Sequence, residues 1–453
     1  MTTSCRRLLA AALTLLTSSS IASAQAIKTR GGDVVGVRGT SADVLVFRGI
    51  PYAAPPVGER RWAAPEPAVP WAGVLHADRF GPSCMQNIVT ERKPWTYEFM
   101  AHGAISEDCL YLNVWTTRPR AARQPVYVFL HGGGFNEGSG SVPAYDGEGL
   151  ARKGLVVVTI NYRLGAFGFL AHPELTKSSP HHTSGNYGLL DQIAALQWVR
   201  DNIAAFGGDP TRVTIAGQSA GGISVLQLMT SPMAKGLFHR AIVESGLLAV
   251  KTPALTDAER DGLRWSEGKG ATTLAAMRAL GAIEVATRVG LPNPNALAFR
   301  PIADGFVLPD EVSARAASGR DNDVPVLIGA NLDEGAKDQQ RVTLTEWAQK
   351  RAASSRSKTF TYFWTHPMPG PDRAKYGAFH TSEVPYAMNT LYMSDRPFID
   401  ADRRIADLMS SYWANFAKNG DPNGVGLPLW PAATDQPARI MHIGDNTQAV
   451  LMR

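Results

Sequence analysis

The sequence predicts an α/β protein built on a largely parallel sheet with helices on both faces. Short apolar runs bounded by Gly, Pro and Asn recur along the chain, as strands buried on both faces would. Between them lie stretches with apolar residues at three- and four-residue spacing, which alternate with the runs as βα units do. The composition is that of an ordinary folded chain: 453 residues, 44% hydrophobic and 19% charged.

Residues 1–24 read as an export signal. Arg6 and Arg7 precede the apolar run 8–16, a Ser-rich stretch follows, and Ala22-Ser23-Ala24 makes a small-x-small cleavage site. That run falls well short of the roughly 18–20 residues needed to span a bilayer. Removal rather than stable membrane insertion is therefore expected, with a mature chain starting near Gln25 in the periplasm or outside the cell. The paired arginines also match a twin-arginine signal loosely. Lys+Arg 45 against Asp+Glu 40 gives +5, and loss of Arg6 and Arg7 leaves +3, 43 cations against 40 anions. So small a surplus, with no run of five basic residues, gives no footprint for nucleic acid. Cys5 leaves with the leader, and the remaining pair, Cys84 and Cys109, is most simply read as one disulfide in an exported chain.

After the leader, residues 33–37 and 43–47 flank the turn Arg38-Gly39-Thr40-Ser41-Ala42 and predict an N-terminal hairpin. Buried strands are expected at 126–130, 156–160, 213–216, 241–243 and 324–328. The clearest helix is 188–206, where Leu189, Ile193, Leu196, Val199 and Ile203 share a face. No repeat, low-complexity tract or linker divides residues 25–453, which are expected to form one domain.

Two glycine-rich segments carry the chemistry. Gly217-Gln218-Ser219-Ala220-Gly221 is a G-x-S-x-G sequence between a strand, 213–216, and a helical run, 223–229. That context makes it a nucleophile elbow, with the Ser219 hydroxyl at the strand's carboxyl end near the positive end of the next helix. His131-Gly132-Gly133-Gly134-Phe135 also follows a strand. It lacks the Gly-Lys-Ser/Thr ending of a phosphate loop, and it suits an oxyanion hole, where residues without side chains let backbone N–H groups approach developing charge. The expected donors are Gly133, Gly134 and Ala220, with His131 a structural neighbour. There is no H-E-x-x-H, and His181-His182 has no obvious acidic or cysteine partner, so no metal is expected.

These motifs, together with Phe47-Arg48-Gly49-Ile50-Pro51-Tyr52-Ala53, Ser106-Glu107-Asp108-Cys109-Leu110-Tyr111-Leu112-Asn113-Val114, Asn161-Tyr162-Arg163-Leu164-Gly165 and Gly185-Asn186-Tyr187-Gly188-Leu189, make the sequence similar to the type-B carboxylesterases. That α/β-hydrolase family also contains the cholinesterases. The resemblance covers nearly the whole mature chain. It implies an α/β-hydrolase fold, a Ser-His-Glu triad acting on a small-molecule carboxylic ester, no cofactor, and pairing of Cys84 with Cys109. It also implies the chain order Ser, acid, His. Asn331-Leu332-Asp333-Glu334-Gly335 resembles the family's acid segment and points to Glu334, which the residues alone do not separate from Asp333 or Asp304. Only His366, His380 and His442 follow Glu334. His366 and His442 lie at or in apolar runs, whereas 377–386 resembles the family's histidine loop, so His380 is the expected base. Ser245 matches a serine that the resemblance places beside the acid–base pair.

Two departures from the family pattern bear on substrate. Gln218 stands where cholinesterases and many relatives carry Glu, which removes an anion from the pocket and disfavours cationic esters. The 46 residues from Glu334 to His380 are fewer than is usual, so a trimmed cover and an open site are expected, unless 251–291 closes it. Gly185-Asn186-Tyr187-Gly188-Leu189-Leu190-Asp191 is also similar to bacterial fumonisin-type esterases. Two rival readings are a non-catalytic binding protein on the same fold, which would usually have lost the nucleophile, and an amidase or acyltransferase using the same triad.

Overall fold

The computed structural model describes residues 26–117, 123–246, 252–287, 299–309, 312–320, 322–334, 337–435 and 438–452. The proposed leader, 1–24, lies outside them, as do residues 251 and 288–291 of the segment expected to close the site.

Among the described residues, eleven strands form the main sheet. From one edge they run Gln448–Leu451, Arg439–Ile443, Thr359–Trp364, Val326–Asn331, Arg240–Glu244, Gly208–Gln218, Gln124–Leu130, Val156–Ile160, Tyr111–Thr116, Leu45–Pro51 and Val37–Arg38. From Arg439–Ile443 to Val156–Ile160 every neighbour is parallel. The remaining pairings, at the two edges, are antiparallel.

Alternate residues of the central strands enter different cores. Val126, Val128 and Leu130 join Val156, Ile215 and Val243 on one face, against Leu189, Ile193 and Leu196 of the helix Tyr187–Asn202. Tyr127 and Phe129 join Ala216, Ile242 and Leu327 on the other, against Met409, Tyr412 and Trp413 of the helix Asp400–Asn419. Burial on both faces is why these strands read as unbroken apolar runs. Each such side chain removed from water contributes about 1.5–3 kcal/mol.

The predicted hairpin forms only in its second half. Val37–Arg38 pairs antiparallel with Leu45–Pro51, but Asp33–Val35 leaves to pair with Ile27–Lys28 and Val74–His76 in a separate sheet. Gly36 marks the break. A Cβ there would lie 2.5 Å from the Val46 carbonyl and 2.7 Å from the Phe47 ring, so the chain crosses too close to its partner strand to continue alongside it.

Cys84 and Cys109 form a disulfide with Cα atoms 4.9 Å apart and a separation of 25 positions in sequence. Both are buried in the core shared with Leu112 and Val114. Closing a loop of that size stabilises the fold by about 3 kcal/mol through the unfolded chain. Protein made in an oxidising compartment is expected to lose about two hydrogens in mass relative to its reduced form, and its unfolding midpoint should fall when the bond is reduced. Two freely alkylated thiols in unreduced, denatured protein would contradict this.

Candidate functional site

The crevice forms where the strand order reverses. Gln124–Leu130 has Val156–Ile160 on one side and Gly208–Gln218 on the other, so the loops after Leu130 and Gln218 diverge to opposite faces of the sheet. Open α/β sheets bind ligands at this kind of point. The loop after Leu130 is the glycine-rich segment, and the turn after Gln218 is the serine turn.

Ser219 is held in a backbone conformation uncommon for a side-chain-bearing residue, φ 57° and ψ −122°. It heads the helix Ala220–Thr230, and its N–H donates to the Glu244 carbonyl at 2.8 Å. Strain of this kind costs on the order of 1–3 kcal/mol and persists only where the surroundings over-determine it. The surroundings here are close: a Cβ on Gly221 would lie 1.9 Å from the Leu130 carbonyl. Glycine at that position lets the helix start pass directly over the neighbouring strand end.

Across the crevice, Gly133 has φ +101° and Gly134 φ +60°. The Gly133 carbonyl accepts from the N–H groups of Asn136 and Glu137 at 3.0 and 3.1 Å, which curls the loop. Among the described residues no protein acceptor takes the N–H of Gly133, Gly134 or Ala220, so three backbone donors remain for a ligand. His131 is buried beside them. Its ring stacks on Tyr162 with centroids 4.3 Å apart, and Tyr162 donates to the His131 carbonyl at 2.7 Å. Burial pushes the imidazole down to about 4, against the opposing bond to the Gly132 carbonyl. It is therefore a neutral prop of the loop.

His380 and Glu334 meet. The Nδ1 of His380 faces Glu334 Oε2 in a short hydrogen bond, and Glu334 Oε1 accepts the backbone N–H of Asn331 at 2.9 Å. Burial works against the imidazolium, but the bond and attraction to Glu334, with Glu383 adding, outweigh it, and His380 sits above its ordinary value of 6.5. Asp333 instead accepts the Ala378 N–H at 2.8 Å, bracing the histidine loop. Asp304 caps a turn, accepting from the N–H groups of Phe306, Val307 and Leu308. His366 lies between Asp445 and Asp402, 2.8 Å from each, and His442 lies within the strand Arg439–Ile443.

Ser219, Gln218, His380, Gly132, Gly133 and Gly134 line one cavity of about 500 Å3. Gln218 is buried, with its amide nitrogen 3.2 Å from His380 Nε2. A second cavity of about 980 Å3 shares His380 and Trp95 with the first and is lined along the Glu334–His380 interval by Leu344, Tyr376 and Phe379. Ser245 lines this second cavity with Glu334, but among the described residues its hydroxyl has no hydrogen-bond partner. The Asn331 backbone supports the carboxylate instead. The segment 252–287 forms three helices, Leu255–Gly268, Leu274–Ala279 and Ala282–Ala286, and Ala286 reaches the wall of the Ser219 cavity.

Other motif residues build the scaffold. Arg163 and Asp191 form a buried two-pronged ion pair at 2.8 and 2.7 Å, joining Asn161-Tyr162-Arg163-Leu164-Gly165 to the helix Tyr187–Asn202. Sequence reasoning missed Asn331 and Glu383, buried behind His380. A polar residue at the end of an apolar strand and an acid three places after the histidine are faint signals by themselves. Among the described residues, no cluster of three or more His, Cys, Asp or Glu could hold a metal, and no helix is long and apolar enough to cross a membrane.

A model described as the carboxylesterase family matches residues 23–346 and 337–452. The chain is 37% identical over 467 residues to a fumonisin B1 esterase of Sphingopyxis macrogoltabida, covering 89% of this chain and 83% of that protein. It is 34% identical over 462 residues to a para-nitrobenzyl esterase of Bacillus subtilis (strain 168), covering 90% and 92%. Against liver carboxylesterase 1 of Oryctolagus cuniculus it is 34% identical over 518 residues, covering 92% and 88%. A solved structure of a PNB esterase superposes with a TM-score of 0.79 at 32% identity, covering 94% of this chain and 97% of that one.

Proposed function

The chain belongs to the carboxylesterase family and is a serine carboxylic-ester hydrolase of the α/β-hydrolase fold; from that premise we propose that Ser219, His380 and Glu334 carry the reaction. The observation that carries this is the convergence, at one switch point of the sheet, of a strained serine, a histidine bonded to a buried carboxylate, and three backbone donors without acceptors. Glu334 holds Nδ1–H of His380, which leaves Nε2 to take the Ser219 proton as Oγ attacks the ester carbonyl. The N–H groups of Gly133, Gly134 and Ala220 bind the developing oxyanion, where each such donor is worth about 2.7–4 kcal/mol. His380 then protonates the leaving alcohol and activates water to release the acyl group. In the resting site Nε2 faces the Gln218 amide rather than Ser219, and catalytic bonds of this type often tighten only when substrate binds. No cofactor enters the scheme.

Hydrolysis of short aryl esters by purified mature protein, with the matching anilides alongside, tests this. Ester turnover with phosphonate labelling at Ser219 is the expected result, and turnover of the anilides alone would favour an amidase.

Because the base must be neutral and His380 is held above its ordinary value, kcat/KM is expected to fall as pH drops through a midpoint above about 6.5. A midpoint clearly below that would contradict the Glu334 pairing.

The shortened Glu334–His380 interval, which leaves little chain to cover the Ser219 cavity, supports a broad substrate range. Bulky or polar esters are expected to be hydrolysed with little discrimination, and the neutral Gln218 gives no anion to favour cationic ones. A kcat/KM that rises steeply with acyl length and rejects branched esters would count against the open site. The bonded Cys84–Cys109 pair supports export after removal of residues 1–24, leaving 25–453 as one catalytic domain.

A further inference from the structure

Glu334 and His380 lie on segments 46 residues apart, so their mutual placement depends on what ties those segments together. Asn331 ends the strand Val326–Asn331, three residues before Glu334, and its side chain is buried. Its backbone N–H donates to Glu334 Oε1 at 2.9 Å. Its amide nitrogen donates across the gap to the Phe379 carbonyl at 2.7 Å and to Glu383 Oε2 in a short bond, with Ser382 Oγ further away at 3.4 Å. Phe379 and Glu383 bracket His380 in sequence. One residue therefore bonds the carboxylate with its main chain and the histidine loop with its side chain.

We infer that Asn331 is a positioning residue for the reaction, fixing the His380 imidazole against the Glu334 carboxylate. This rests on the Ser219–His380–Glu334 reading. An amide suits the position because both its acceptors are oxygens and an amide nitrogen carries two N–H donors. An ionised Asp has none, and would face the Phe379 carbonyl and the Glu383 carboxyl with negative charge. Burial, with Glu244 and Glu334 adding, pushes Glu383 above the usual carboxylate range, and a neutral carboxyl still accepts from the amide. The titratable groups around Asn331 are Glu334 and Asp333 on its own segment, His380 and Glu383 on the histidine loop, Glu244 on Arg240–Glu244 and Tyr362 on Thr359–Trp364.

The test compares Asn331→Ala and Asn331→Asp with wild type on a short aryl ester, reading kcat, KM and thermal midpoint between pH 5.5 and 8.5. Misplacing a reacting group by about 1 Å costs up to about 100-fold. Asn331→Ala is thus expected to lower kcat about 10- to 100-fold, with KM changed less than about threefold. The Asn331→Asp rate relative to wild type should rise as pH falls, because the protonated carboxyl regains one donor. The corresponding Asn331→Ala ratio should stay flat. An Asn331→Ala enzyme with kcat within about twofold of wild type, or an Asn331→Asp ratio independent of pH, overturns the inference. If Asn331→Ala does not fold, the Asn331→Asp profile decides alone. Ser219→Ala and Glu334→Gln are assayed in parallel. If these two are inactive while Asn331→Ala behaves as wild type, only the inference about Asn331 fails; if Ser219→Ala stays active, the underlying mechanism fails.

Discussion

Ser219→Ala is expected to abolish ester turnover almost completely, by about four to six orders of magnitude, because Ser219 is the nucleophile proposed to form the acyl-enzyme. His380→Ala should lose about as much. The double variant should lose little more than either alone, since nucleophile and base act as one unit. Glu334→Gln keeps the shape but removes the charge that holds Nδ1–H of His380, and a loss of about four orders of magnitude is expected. Steady-state rates with p-nitrophenyl acetate, alongside circular dichroism to show intact folding, check all four. His366→Ala is the matched control. Its ring bridges Asp402 and Asp445 away from the crevice, so it should cost stability and leave the chemical step alone. A well-folded Ser219→Ala enzyme with near-native turnover would refute the mechanism, and an inactive His366→Ala beside an active His380→Ala would reassign the base.

Gly133→Ala and Gly134→Ala are expected to differ sharply although the residues are neighbours. A Cβ on Gly133 would lie 2.0 Å from the Glu137 carbonyl carbon's oxygen, and its φ of +101° is foreign to side-chain-bearing residues. The loop must move, and with it the backbone donors. The expected loss is about 100- to 1,000-fold in kcat, the range for an oxyanion donor. At Gly134 a Cβ meets nothing within 4 Å. Its φ of +60° carries only the left-handed penalty of about 1–2 kcal/mol. Gly134→Ala should therefore lower the melting temperature modestly and keep kcat within about tenfold. Measuring kcat and thermal midpoint for both variants separates the two effects. Equal turnover in the pair would mean that this loop does not bind the oxyanion.

How much of this was legible beforehand depends on how local each feature is. Ser219 could be found because a strand, a tight turn and a helix follow one another in a few residues, each with its own signature in the sequence. The same holds for the glycine loop, whose lack of side chains is itself the signal. The hairpin prediction failed at Gly36 because alternation describes a strand without saying which partner it takes, and the close approach of Phe47 sends Asp33–Val35 to another sheet. Glu334 and Asp333 are adjacent acids with similar surroundings in sequence. Only the family resemblance favoured one of them. In the folded chain they point to different work: Asp333 to the Ala378 N–H, Glu334 to His380.

By itself, the sequence determined the parallel core, through apolar runs that only a doubly covered sheet can bury, and the turn that presents Ser219. It also pointed to the cysteine pairing, because removal of residues 1–24, as the sequence predicts, would leave only Cys84 and Cys109. The tertiary structure decided what stands across the crevice from that serine. The partners of His380 come from Gln218, from Glu334 and, through Asn331, from a strand end 46 or more residues distant. Such bonds depend on the order of strands in the sheet and on hydrogen-bond geometry good to a few tenths of an ångström. No local pattern of residue types encodes that placement, since it is the packing of both cores that fixes where the strand ends lie.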